Sequence, residues 1–304
     1  MLRRARLTVA YLGTEFHGFA EADGVRTVMG ELRGAIEKVA RMPVLPVGAG
    51  RTDAGVHGWG QVVSLDLPED LELADLQRRI NRMLGPAIAV RQATWADDPE
   101  FSARFSALWR HYRYHVVNTP VPDPFMATTA WHVPQPLDLW AMRLACDPLI
   151  GEHDFSSFCR RPKVPAGQTP PSMRRRVISA DWHEVHDDRA PDGGLLRFEI
   201  RANAFCHQMV RSIVGTLVEV GLGKIKAGDL MGILLAEDRQ AAGQVAPPHG
   251  LVLWEVGYPE HSEAPEAHGV PVAPRALSTP FAPPVGEPVD PSGPILRPHV
   301  PETA

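Results

Sequence analysis

The sequence predicts an α+β protein of two halves with related order, each a ferredoxin-like unit, with a largely antiparallel or mixed central sheet flanked by helices. Three observations lead there. Over the first hundred residues, runs of period-2 alternation and runs of helical spacing come in the order strand, helix, strand, strand, helix, strand. A similar but longer series follows in the second half. Apolar periodicity then stops after Tyr258.

Residues 5–11 are β-branched and partly alternating, and read as a strand. From Thr27 to Met42 the spacing turns helical, with Val28, Leu32, Ile36 and Val39 on one face and Thr27 able to cap the start. A short strand is expected at 44–49, then a Gly-rich loop, then the alternating run GQVVSLDLP. Leu71–Leu84 reads as a helix and Ala87–Trp95 as a strand. In the second half, Tyr112–Asn118, Arg176–His186, Leu195–Arg201 and Leu251–Gly257 read as strands. Leu137–Ile150, Phe205–Leu222 and Ala227–Leu235 read as helices. The expected organisation is an N-terminal domain at 1–103, a second domain at 104–259, and a tail at 260–304.

The tail is rich in proline and carries Glu260, Glu263, Glu266, Glu287, Asp290 and Glu302 against Arg275 and Arg297. Such a segment buries too little apolar surface to offset its ordering entropy, which predicts disorder. Docking as an extended strap is the other reading. The net charge of −5 argues against a nucleic-acid partner, but the average misleads. Without the tail the chain is close to neutral and holds strongly basic islands. Three cysteines, Cys146, Cys159 and Cys206, have no close spacing, which suggests a reducing compartment without a disulfide framework. The N-terminus lacks the apolar core of a signal peptide, and no apolar run is long enough to span a bilayer. A cytoplasmic location is therefore expected. No Cys or His spacing points to a structural metal.

The most informative stretch is GAGRTDAGVH, residues 48–57, between two predicted strands. Gly48, Gly50, Gly55, Gly58 and Gly60 permit close approach of a ligand. The loop holds one acid, Asp53, one guanidinium, Arg51, and one imidazole, His57. A carboxylate flanked by a cation stays ionised at neutral pH and can then act as nucleophile or general base. The same residues are ordinary turn material, so a structural reading of Asp53 stands beside the catalytic one. The loop lacks the Lys-Ser/Thr ending of a phosphate-binding P-loop.

GRTDAGVHGWGQVVSLD closely resembles the active-site motif of the TruA family of pseudouridine synthases. FSARFSALWRHYRYHVVN (101–118), GEHDFSSF (151–158), RANAFCHQMVRSIVGTLVEVG (201–221) and HGLVLWEVGYP (249–259) resemble further family segments, in the family's order. The resemblance covers about residues 5–259 and leaves the tail outside. It implies the pseudouridine synthase fold and the conversion of uridine to pseudouridine in the anticodon arm of tRNA, at positions 38 to 40. No cofactor is consumed, no metal is needed, and the enzymes are homodimers.

The resemblance places the essential aspartate at Asp53. It places a base-stacking tyrosine at Tyr112, for which a sheet aromatic is the plainer reading. It also marks Arg211 within HQMVRSIVG, amid apolar neighbours. A buried guanidinium there needs an anionic partner, either Asp53 or an acid such as Glu219. Arg51 and Arg104 match basic motif positions and are expected near substrate phosphates or Asp53. His57 matches too, with a structural role expected. Phe155–Ala180 contains Arg160, Arg161, Lys163, Arg174, Arg175 and Arg176 and no acid, which reads as a basic loop suited to an RNA backbone, or as a solvated charge run.

The first family motif departs here. It reads YLGTEFHGFAEADG, with Leu12, Phe19, Ala20 and Glu21, and later Met29, at altered positions. A Glu facing phosphate would be repulsive. A catalytically weak tRNA-binding relative is therefore an alternative. A hydrolase using paired carboxylates is a more distant one, because Asp53 has no acid partner in its loop.

Overall fold

The computed structural model describes residues 1–161, 164, 165, 167, 169–185 and 194–259. Lys163 and the expected tail at 260–304 lie outside the described residues.

The first half starts with strand β1 (Leu2–Tyr11), whose Ala5, Leu7, Val9 and Tyr11 are buried in alternation. Helix α1 (Val28–Ala40) begins where the Thr27 hydroxyl oxygen accepts from the Gly30 N–H at 3.2 Å. The stripe predicted from spacing, Val28, Leu32, Ile36 and Val39, is the buried one. Arg41, left-handed at φ 56°, ends it. The strand expected at 44–49 shrinks to β2 (Val47–Gly48). Pro43 and Pro46 supply no N–H for a ladder. Strand β3 (His57–Pro68), helix α2 (Leu73–Leu84) and strand β4 (Ile88–Trp95) follow.

The second half runs through β5 (Trp109–Val117), β6 (Trp131–His132), helix α3 (Leu139–Leu144), β7 (Gly151–Asp154), β8 (Arg174–Glu184), β9 (Leu195–Ala202), helices α4 (Met209–Gly221) and α5 (Leu230–Leu235), and β10 (Leu251–Gly257). Several boundaries differ from the sequence expectation for local reasons. The helix expected at 137–150 stops at Leu144, and a 3₁₀ turn at Asp147–Leu149 carries Pro148. The helix expected from Phe205 starts only at Met209, because Gln208 is left-handed at φ 64°. Residues 203–208 form a loop instead. The basic loop expected across 155–180 is also shorter. Arg174, Arg175 and Arg176 open β8, paired with Asp154, His153 and Glu152 of β7.

The strands form one sheet in the order β4-β1-β3-β10-β5-β9-β8-β7, with β2 on β3 and β6 on β5. The first half is thus β4-β1-β3-β2 and the second β10-β5-β9-β8, both antiparallel throughout. Each is the 4-1-3-2 order of a ferredoxin-like unit, so the α+β fold with two such halves is what the chain adopts. Each half has its own core. One packs Leu7, Leu32, Ile36, Leu65, Leu76 and Ile80, the other Phe155, Phe158, Trp182, Phe198, Ile213 and Leu217.

The halves meet where β3 runs parallel to β10, at His57↔Val252 and Gly58↔Leu253. A Cβ at Gly58 would lie 2.5 Å from the Tyr11 ring, so only glycine fits in this row. The loop preceding β3 therefore opens at the junction of the two halves.

Candidate active site

The 48–57 loop is fixed from below. The Gln61 side-chain amide donates to Gly50 O at 2.8 Å, and Tyr11 Oη shares a hydrogen bond of 2.9 Å with Thr52 Oγ1. Phe19 N donates to Thr52 O at 3.1 Å, and Val56 N to Asp53 O at 3.1 Å. Gly55, at φ 80°, makes the turn that brings Asp53 to the surface of a cavity.

That cavity has a volume of about 1020 Å³ and is lined by Arg51, Asp53, Arg104, Tyr112, Arg175 and Arg211, among others. Asp53 is a quarter exposed. Its Oδ2 faces Arg211 Nη1 at 3.3 Å, and its Oδ1 faces His207 Nε2 at 3.4 Å. Of the two partners open to Arg211, the structure chooses Asp53. Glu219 instead accepts from Gln244 N at 3.2 Å. Arg211 is anchored on both sides of its Cα, since its Nε donates to Ala246 O at 2.8 Å and its own carbonyl accepts from Ala246 N at 3.0 Å. This leaves one fork of the guanidinium aimed at the carboxylate.

Tyr112 is buried on β5, with Phe205 edge-on at 5.0 Å between ring centroids. Burial first, then the neighbouring Tyr11 and Asp53, push its phenol well above the usual range, so it stays neutral. The ring stands on the cavity wall.

The basic residues separate. Arg51 and Arg104 are exposed and line the cavity. Arg175 is half-buried and lines it too. Strand alternation puts Arg174 and Arg176 in exposed positions outside that lining. Arg174 faces Glu152 at 3.4 Å. Arg160 and Arg161 are exposed and also outside the lining, the latter donating to Glu237 O at 3.4 Å.

Two cavity residues escaped the sequence reading. His207 sat inside an expected helix and is in fact in the loop before α4. Arg110, within the quoted 101–118 stretch, donates to Ala107 O at 3.3 Å, Asn203 O at 2.9 Å, Ala49 O at 3.0 Å and Arg104 O at 2.8 Å. It binds the 48–57 loop to the 203–208 loop. A lone Arg on an alternating strand gives no sign of that in sequence.

His57 holds the junction. Its Nδ1 accepts from Gly13 N at 2.9 Å, so Nε2 carries the proton and donates to Thr128 O at 3.0 Å and His249 O at 2.9 Å. Burial lowers its pKa, which favours this neutral form. Three of the altered first-motif positions have structural partners, while nothing in the structure explains Leu12 or Ala20. Phe19 and Met29 are buried, and a Cβ at Gly48 would meet the Phe19 ring at 2.3 Å. Glu21 is paired with Arg33 at 2.9 Å, which offsets the repulsion expected of it.

Among the described residues no group of three or more His, Cys, Asp or Glu is placed to hold a metal ion, and no helix is long and apolar enough to cross a membrane.

Comparison with known proteins identifies the family. A family model described as tRNA pseudouridine synthase matches residues 145–259. The tRNA pseudouridine synthase A of Geobacillus sp. (strain WCH70) is 40% identical over 259 residues, covering 85% of this chain and 99% of that protein. That of Bacillus subtilis (strain 168) is 40% identical over 260 residues, covering 84% and 99%. That of Leifsonia xyli subsp. xyli is 42% identical over 283 residues, covering 86% and 93%. Among solved structures the likeness is looser. A Cbf5-Nop10-Gar1 complex matches at TM-score 0.32 and 14% identity, over 82% of this chain and 49% of that one. The assignment rests on the sequence relatives: the chain belongs to the tRNA pseudouridine synthase A family.

Proposed function

We propose that this protein isomerises uridine to pseudouridine in tRNA, at positions 38 to 40 of the anticodon arm, with Asp53 as the catalytic carboxylate. One observation carries the reading: a partly exposed carboxylate on a cationic cavity, faced by a guanidinium at 3.3 Å and an imidazole at 3.4 Å.

Asp53 works as an ionised group. Attack on the ribose and removal of a ribose proton both require the charge. The Arg211 guanidinium holds the carboxylate in one orientation, leaving little reorganisation for the reaction. The target base has to leave the RNA stack to reach Asp53. The Tyr112 ring offers a surface for it, worth about 1–3 kcal/mol per stacked base. Its neutral hydroxyl adds no competing charge. Arg51, Arg104 and Arg175 line the mouth and attract backbone phosphates. Arg160, Arg161, Lys163, Arg174 and Arg176 are assigned to the longer reach of the RNA. The enzyme acts as a homodimer in the cytoplasm, and its reaction consumes no cofactor.

The test is release of the C5 hydrogen from uridine in tRNA, with wild type compared to Asp53→Asn. Release by the wild type and none by the variant is expected. Tight tRNA binding without release by either protein would replace the enzyme with a binding module.

A further inference from the structure

Three consecutive side chains of the loop before α4 point at three different partners. Phe205 meets Tyr112 edge-on at 5.0 Å. His207 meets Asp53 at 3.4 Å. Cys206, between them, meets the thiol of Cys159. The two chain segments are stitched together directly beside these cysteines, because Arg160 N donates to His207 O at 3.0 Å. Cys206 is partly exposed and lines the cavity, whereas Cys159 is buried. The Cys206 sulfur also lies 3.9 Å from Met173 O.

We propose that Cys159 and Cys206 form an oxidant-sensitive dithiol on the wall of the active site, closed to a disulfide by a peroxide. The exposed member reacts first. The Cys206 thiolate attacks one peroxide oxygen, giving a sulfenic acid and one water. The Cys159 sulfur then attacks the sulfenic sulfur, and the hydroxyl leaves as a second water. Two thiols and one hydrogen peroxide become one disulfide and two waters.

The chemistry suits these two residues. The neighbouring Cys159 thiol is the largest influence on Cys206 and lowers its pKa; Arg175 adds to the lowering. Cys206 in turn, together with burial, raises Cys159. The pair thus divides into an attacking thiol at the cavity and a resolving thiol behind it. Cys146 has no such neighbour. It is buried and donates to Met142 O at 3.3 Å.

Closure draws two non-bonded sulfurs to about 2.0 Å. Cys206 moves toward Cys159 and away from the cavity, carrying His207 from Asp53 and Phe205 from Tyr112. Shifts on the order of 1 Å in a catalytic constellation cost about 10²-fold in rate. Oxidation therefore switches the enzyme off, and a thiol reductant restores it. The thiol chemistry is independent of the catalytic reading, while the loss of turnover rests on it.

The experiment exposes the folded full-length protein to limiting hydrogen peroxide, quenches, denatures and alkylates. In the wild type one cysteine is expected to alkylate, Cys146, with the intact mass lower by two hydrogens and a 159–206 linked peptide. In parallel, pseudouridine formation falls about tenfold or more and returns with dithiothreitol. Cys159→Ala, untreated, keeps wild-type turnover and gives no linked peptide after peroxide. Three alkylated cysteines in the treated wild type, or a sulfinic Cys206 beside an alkylated Cys159, would overturn the dithiol. A linked peptide with undiminished turnover would refute the switch. Should Cys159→Ala not fold, the wild-type mass and linkage decide alone.

Discussion

At the scale of single residues, the site is one guanidinium contact and one imidazole contact on one carboxylate. Asp53→Asn keeps the shape and removes the charge. Turnover should fall by about 10⁴-fold, the scale on which an amide replaces a catalytic carboxylate. The thermal midpoint should move by no more than about 3 °C, because a partly exposed pair contributes about 0–1 kcal/mol. Single-turnover tRNA assays and thermal melts check both. Arg211→Ala removes a preorganised donor, and kcat should drop by about 10²–10³-fold with the fold retained. Wild-type kcat in the folded variant would move Arg211 out of the machinery. That Asp53, Tyr112 and Arg211 belong to one place was legible in sequence, because motif resemblance marks positions regardless of conformation, and all three line the same cavity. His207 was not, because its contact depends on where a helix begins.

At the scale of elements, a left-handed Gln208 decides much of the site. Apolar spacing predicts a helix from Phe205, and nothing in the spacing shows that backbone choice. The four residues released from the helix become the cavity wall. Strand β8 is the opposite case. A run of three arginines reads as a loop, but alternation on a strand sends only Arg175 into the cavity lining. On the polar face of β5 and β9, Glu199 gathers Arg197 at 2.6 Å, His111 at 3.1 Å and Arg113 at 3.2 Å. Burial raises its pKa, but the His111 hydrogen bond and the two guanidinium charges outweigh that and bring it to about 2. A carboxylate depressed in the fold stabilises above its ordinary value and loses that contribution as pH falls toward 2. Allowing for solvent screening, Glu199→Gln should cost about 1–2 kcal/mol at pH 7. The gap to wild type should narrow below pH 4. Urea midpoints at pH 7 and pH 3 measure it.

For the whole molecule, the two halves of related order were readable because element order survives in the pattern of periodicities. The seam was not, since a two-residue parallel contact between β3 and β10 leaves no periodic trace. Neither was the distribution of charge over the cavity. The net charge of −5 hides a cationic mouth, and its reach is testable through salt. The slope of log affinity for tRNA against log salt should shrink by about 0.7–0.9 in Arg175→Ala and in Arg104→Ala. Arg174→Ala, away from the cavity, should change it less. A wild-type slope in both Arg175→Ala and Arg104→Ala would mean that the RNA does not enter this cavity. Arg110 complicates any such count. Four carbonyls already occupy the four hydrogens of its two terminal nitrogens, so it casts a field into the site with neither end of its fork free to grasp a ligand. A surface potential would number it among the RNA contacts, and a footprint of the bound RNA would not. It acts as a rivet that happens to be charged.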